Sequence, residues 1–389
     1  MLYLLMFSLS TLFIYNGEHI REKRRERRKP YIAYFVGILL PIFMAGFRSK
    51  SVGIDVETYV EPMYQFAKYS NGIKHYYSLL PTSLSTRDLE LGFTFVGYVA
   101  TRFSNGLWGV LIAYELMIIC AVFKSSLNFK KYMADKNCKF PAWLSMVVFY
   151  GLFYNMSLTM IRQSIACSLV LLGITEVLSC NKPIKGLFFI VLAITFHSTA
   201  LIGIVFLIFL YISERKTGFF RLLYNILIGI AFIIFLLGGR VYWLALNLLN
   251  RFIPIPARYL NYDYMWGQGH GVNVAWIYLI SIALVVALLL NKSKVRLGND
   301  IAIRLFSLIA IYSMSLFPLS IASANAGRVE YYFLYFIILL MPLIEYGMYR
   351  FKINGTNASK AIVIVFTLVY WIGTVGLNDM TGTIHYILM

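Results

Sequence analysis

Arg48, Arg162, His197 and Arg328 each fall at or beside the end of a long apolar run. A charged or titratable group there is costly unless it is paired or opens onto a polar cavity. A guanidinium meets phosphate oxygens two at a time. Arg162 and Arg328 each open an apolar segment, where the N–H groups of a starting helix add to the pull on an anion. A set of such arginines suits a membrane-bound pyrophosphate, and equally chloride or a lipid headgroup. An imidazole at position 197 can serve near neutral pH as base, acid or hydrogen-bond donor. The plainer alternatives are arginines that snorkel to lipid phosphates and a histidine bonded to a loop carbonyl. Glu115, within an apolar run, is either part of a proton relay or a neutral acid bonded to a neighbouring helix. No phosphate-binding glycine loop, metal-ligand spacing or recognisable Ser-His-Asp frame accompanies these groups, so neither metal nor cofactor is expected.

The chain that must position them has 389 residues, of which 60% are hydrophobic and 13% charged. Its apolar stretches recur at the length a hydrocarbon core of about 30 Å demands, and continuous runs of this kind are helices, not barrel strands. The expectation is an all-α, polytopic membrane protein of about twelve spans forming a single transmembrane domain, 1–389. After a first span near the N-terminus, helices are expected near 31–47, 107–124, 141–157, 159–178, 184–197, 199–213, 219–238, 272–290, 301–320, 329–348 and 360–377. The segment 89–103 carries Glu90 and Arg102 and is expected to be re-entrant or interfacial. The helices 184–197 and 199–213 are too short to cross fully and are expected to line a cavity, with His197 at the turn between them.

The formal charge of +18 would suggest a nucleic-acid partner in a soluble protein. Here 24 of the 35 Lys and Arg fall in alternate short loops, which places those loops in the cytoplasm and leaves nucleic acid out. The N-terminus and the long loops 47–106 and 239–271 are then outside. The second loop sets Arg258 and Asp263 among Tyr259, Tyr262, Tyr264 and Trp266, a composition suited to stacking and hydrogen bonding a sugar, or else to an interfacial aromatic belt. The four cysteines form no C-x-x-C pair and indicate neither disulfide nor zinc.

Several segments together resemble the EpsG family of Wzy-like polysaccharide polymerases. Gly46-Phe-Arg48, Gly53-Ile-Asp55 and Tyr59 resemble the motif that opens that family's first outward loop. Met160-Ile-Arg162-Gln163 resembles its Arg-Gln signature, Phe196-His197-Ser198-Thr-Ala200 its Phe-His turn, and Arg328 with Tyr331 and Tyr332 its late Arg and Tyr element. The matches follow the family's order from about residue 5 to 350.

The resemblance implies an architecture related to the GT-C membrane glycosyltransferases. It implies transfer of a growing glycan from undecaprenyl pyrophosphate to the next lipid-linked repeat unit, at the periplasmic face of a bacterial inner membrane, without cofactor. On these positions it implies catalytic roles for His197, Arg162 and Asp55, and pyrophosphate binding by Arg48, Arg162, Gln163 and Arg328. Sugar binding is expected from Tyr59, Arg258, Tyr259, Asp263, Trp266, Tyr331 and Tyr332. Expected partners are undecaprenyl-pyrophosphate-linked oligosaccharides, membrane lipids and a chain-length regulator. The competing class is a flippase for the same lipid-linked sugars, which should show charges along a central path and related halves. A third reading is an accessory subunit without activity, or a sugar acyltransferase.

Overall fold

In a computed structural model the protein is described over residues 2–24, 29–80, 91–215, 217–238, 300–322, 324–348, 356–379 and 381–383, with a few isolated positions between 240 and 286. These residues are predominantly helical, and no strand occurs among them. They divide into two compact units, Met1–Leu201 with Asn357–Met389, and Ile202–Thr356.

The first unit holds α1 (Leu2–Arg24), α2 (Lys29–Gly46), a π-helical turn (Val56–Val60) running into α3 (Glu61–Tyr69), α4 (Ile73–Leu79), α5 (Leu91–Phe103), α6 (Leu107–Ala134), α7 (Ala142–Leu152), α8 (Tyr154–Thr159), α9 (Ile161–Cys180) and α10 (Pro183–Ile194). The second unit holds α11 (Ile202–Glu214), α12 (Gly218–Leu237), α13 (Ile301–Ala322), α14 (Ala324–Tyr335) and short turns to Met348. The first unit is completed by α15 (Thr356–Trp371), which continues as a π-helix over Ile372–Leu377.

Six of the described helices are long and apolar enough to cross a membrane, and four shorter apolar helices accompany them. The chain is therefore an all-helical, multi-pass membrane protein, with six such helices where about twelve spans were expected. The helix expected at 272–290 and the loop 239–271 lie outside the described residues. Two boundaries differ from the expectation. α6 does not stop at Lys124 but runs to Ala134, because Lys124, Lys130 and Lys131 are good helix formers and carry the helix on past its apolar stretch. The run 141–157 is not one span, since Phe153 leaves helical geometry and separates α7 from α8. The segment 89–103 forms a helix of 13 residues from Leu91, too short to cross.

At the centre of the first unit is α9, 83% buried across its span, whereas the α12 span of the second unit is 6% buried. α9 turns into α10 through Asn181 in the left-handed conformation, and the two helices cross where Gly173 and Gly186 meet. A Cβ on Gly173 would stand 2.8 Å from the Gly186 carbonyl oxygen, so only glycine permits this approach. From that crossing Arg162 lies eleven residues back along α9 and His197 eleven residues onward. At 1.5 Å per residue each is about 16 Å away, so the antiparallel pair brings both to the same level.

The two ends of this unit are chemically distinct. At one end the Tyr3 hydroxyl donates to the Thr383 carbonyl at 3.0 Å, joining the start of α1 to the segment after α15, beside α8 and the start of α9. At the other, Glu18 near the end of α1 accepts from Lys130 Nζ at 2.6 Å and from the Trp143 N–H at 3.1 Å. In the second unit Phe206 packs edge-on against Phe333 and Phe336, and Tyr312 donates to the Leu227 carbonyl at 3.0 Å, tying α13 to α12.

Candidate active site

The loop after α2 must turn back over the bundle, and Arg48 makes it do so. Its guanidinium donates to three backbone carbonyls: Ala45 at 2.6 Å, Val52 at 3.2 Å and Leu158 at 3.2 Å. These belong to the end of α2, the loop itself and α8. Arg48 is 1% exposed and also within electrostatic reach of Glu115, whose Oε1 accepts from Ser157 at 3.3 Å. Its charge is thus spent on orphan carbonyls in the interior, away from the surface a ligand would reach.

Gly53 follows with φ +101, and a Cβ there would stand 2.1 Å from the Leu158 carbonyl oxygen. The Gly-x-Asp spacing has a physical reason: with no side chain the loop can press on α8, and two residues later Asp55 reaches the start of α9. Asp55 Oδ2 lies 3.4 Å from the Arg162 backbone N–H and 3.9 Å from Arg162 Nε. It supplies the cap that Met160 does not. The carboxylate therefore takes up an N–H at the α9 terminus and faces the guanidinium of the same residue.

One turn on, the Tyr59 ring lies 3.9 Å from the Arg162 guanidinium carbon, and the Phe93 ring lies 6.0 Å from it. The arginine is held between a carboxylate and an aromatic face, with its side chain 11% exposed. Gln163, the next residue, is buried at 3% exposure.

Phe93 belongs to α5, which joins this corner to the histidine turn. Its ring stacks on Tyr114 at 4.4 Å, and the Tyr114 hydroxyl donates to its carbonyl at 2.8 Å. One residue earlier, the Gly92 N–H donates to the Thr195 carbonyl at 2.8 Å. His197 is 7% exposed at the end of this turn. Its Nδ1 accepts from the Thr199 backbone N–H at 3.3 Å and lies 2.6 Å from the Thr199 hydroxyl. A backbone N–H can only donate, so Nδ1 is the unprotonated nitrogen and the neutral ring carries its proton on Nε2. In this arrangement the Nδ1 lone pair of His197 is taken up by Thr199.

Three of the four sequence motifs thus converge on α5 and the start of α9. The chain belongs to the EpsG family. That family, whose members are Wzy-like polysaccharide polymerases, matches residues 31–388. No curated protein and no solved structure matches the chain. Membership brings a polymerase-type, glycosyltransferase-like function to the EpsG chain.

The fourth motif lies in the second unit. Arg328 is exposed on α14, while Tyr331 and Tyr332, expected to meet a sugar, are each 1% exposed within that unit's packing. Arg258, Tyr259, Asp263 and Trp266 lie outside the described residues. Among the described residues no cluster of three or more His, Cys, Asp or Glu is placed to hold a metal ion. Sequence reasoning missed Phe93, and also Asn155 and Thr159 on α8 and Thr383 beside it. The signal for Thr383 was the run Asp379-Met-Thr-Gly-Thr383 after the last span, a group of turn formers.

Proposed function

We propose that this EpsG-family chain is a lipid-linked oligosaccharide polymerase of GT-C-like architecture, working at the periplasmic face of a bacterial inner membrane. Its substrates are a glycan on undecaprenyl pyrophosphate and the next undecaprenyl-pyrophosphate-linked repeat unit. The acceptor hydroxyl oxygen attacks the anomeric carbon of the growing chain, the bond from that carbon to the pyrophosphate oxygen breaks, and undecaprenyl pyrophosphate leaves with the electron pair.

The observation that carries the reading is the Arg162 guanidinium, held by Asp55 and Tyr59 at the start of α9. Arg162 binds the pyrophosphate and stabilises its charge as it departs, without a metal. Gln163, the next residue, completes the anion site. Asp55, the carboxylate in the same corner, takes the acceptor proton. His197 orients the acceptor by donating from Nε2. Arg48 positions the loop and does not touch substrate. Tyr59 contacts a sugar, and the aromatic composition of the loop 239–271 suits that loop to sugar recognition.

The test uses membrane vesicles supplied with the lipid-linked repeat unit and resolves products by length. Wild-type vesicles should give a ladder, and Arg162→Ala vesicles the single repeat unit only. Normal ladders from Arg162→Ala at normal expression overturn the proposal. Loss of translocation with polymerisation intact would make the chain a flippase.

A further inference from the structure

The segment after α15 is built as a self-contained turn. The Asp379 N–H donates to the Val375 carbonyl at 3.2 Å, the Gly382 N–H to the Asp379 carbonyl at 2.9 Å, and the Thr383 N–H to Asp379 Oδ1 at 2.8 Å. Its remaining polar groups are spent on α8. Asn155 Nδ2 donates to Thr383 Oγ1 at 2.8 Å, and the Thr159 hydroxyl donates to the Thr381 carbonyl at 2.8 Å. The Thr381 and Thr383 hydroxyls pair at 2.7 Å. The other end of the Asn155 amide accepts from Trp371 Nε1 at 2.8 Å. Thr383 is 0% exposed and Asn155 3%, so the bond between them is made away from water.

α8 needs such support. It has six residues, too few to hold a direction alone, and non-helical residues, Phe153 and Met160, flank it. Its direction is set by what grips it. On one side Arg48 and Gly53 hold the Leu158 carbonyl; on the other the turn after α15 holds Asn155 and Thr159. Met160 passes directly into α9, so the first turn of α9, and Arg162 on it, inherit that direction.

We infer that the turn carrying Asp379, Thr381 and Thr383 is a positioning latch for Arg162, and that Thr383 and Asn155 are positioning residues for the transfer reaction although neither belongs to the motifs that carry the family resemblance. The effect on turnover rests on the polymerase reading; the effect on the α8–α9 junction does not.

The experiment compares purified wild type, Thr383→Val and Thr383→Ser by hydrogen–deuterium exchange and by polymer formation. Valine keeps the shape but removes the hydroxyl that accepts from Asn155, whereas serine keeps the hydroxyl. In Thr383→Val, amides of residues 160–164 should exchange about tenfold faster, with α6 unchanged, and polymer formation should fall about tenfold at unchanged expression. Thr383→Ser should restore both. Unchanged exchange at 160–164 in Thr383→Val overturns the latch, as does faster exchange with polymer formation undiminished. If no protein, wild type included, makes polymer while the junction still responds to valine and recovers with serine, the latch stands and the polymerase reading falls.

Discussion

Gly53→Ala places one methyl group against the joint that holds Arg162. The added Cβ would lie 2.1 Å from the Leu158 oxygen and 3.0 Å from the Leu158 carbonyl carbon. Ordinary contact begins near 3.4 Å, so the loop and α8 must part by about 1.3 Å. The φ of +101 adds a conformational cost of about 1–3 kcal/mol for any side chain. Gly72 separates the two effects, because it has φ +143 and nothing within 4 Å of a built Cβ. Gly72→Ala carries the conformational cost alone. A displacement near 1 Å at a reacting centre lowers rates about 10²-fold. Gly53→Ala should therefore cut polymer formation about 100-fold, and Gly72→Ala should lose stability with nearly normal activity. Vesicle ladders at matched expression give the rates, and thermal unfolding in detergent gives the stabilities. Full-length ladders from Gly53→Ala, or equal losses of activity in the two variants, would refute the reasoning.

Arg162→Lys should fail almost as completely as Arg162→Ala in the ladder assay, because an ammonium loses the planar fork that meets phosphate; near-normal product from the lysine variant would remove the pyrophosphate contact. His197→Gln should keep most activity, since an amide can donate as Nε2–H does, while His197→Ala should lose about 10–100-fold. If glutamine proves no better than alanine, His197 transfers a proton after all. Arg48→Lys should lower the unfolding temperature and folded yield, because one ammonium cannot span carbonyls on three segments; a fully stable, inactive Arg48→Lys would return Arg48 to the ligand site. Exchanging the loop 239–271 between relatives should change which repeat unit is polymerised, and unchanged specificity would leave that loop a membrane anchor.

The helices were legible because lipid forces apolar segments to satisfy their own backbone, so length and hydropathy suffice to find α6, α9, α12 and α13. Their interruptions were not legible. Phe153 and Met160 leave helical geometry with no Gly or Pro at either position, and the cause is the grip of distant groups on α8. The motif residues were visible as residue types, but their roles depended on partners far along the chain. Arg48 read as an anion contact because sequence shows a cation at a span end, not the three carbonyls that surround it. The α9 terminus read as an open anion site because nothing in sequence puts Asp55, 107 residues earlier, on the Arg162 N–H. The protonation of His197 depended on Thr199, two residues away, through a turn that periodicity does not reveal.

The shortness of α10 reaches beyond the protein to the bilayer around it. Twelve residues rise about 18 Å, against roughly 30 Å of hydrocarbon. The face bearing Ile184, Leu187, Phe188 and Val191 is exposed to lipid along that height, and then the helix gives way to Thr195, His197 and Ser198. Acyl chains bordering α10 would have to shorten, tilt or admit water, which predicts a thinner membrane beside the histidine turn. On the proposed function, a lipid carrier drifting past would find its headgroup drawn down towards that turn before touching the protein. Catalytic rate should then depend on acyl-chain length in reconstituted vesicles, with thinner membranes favoured and thicker ones imposing a delay on substrate entry.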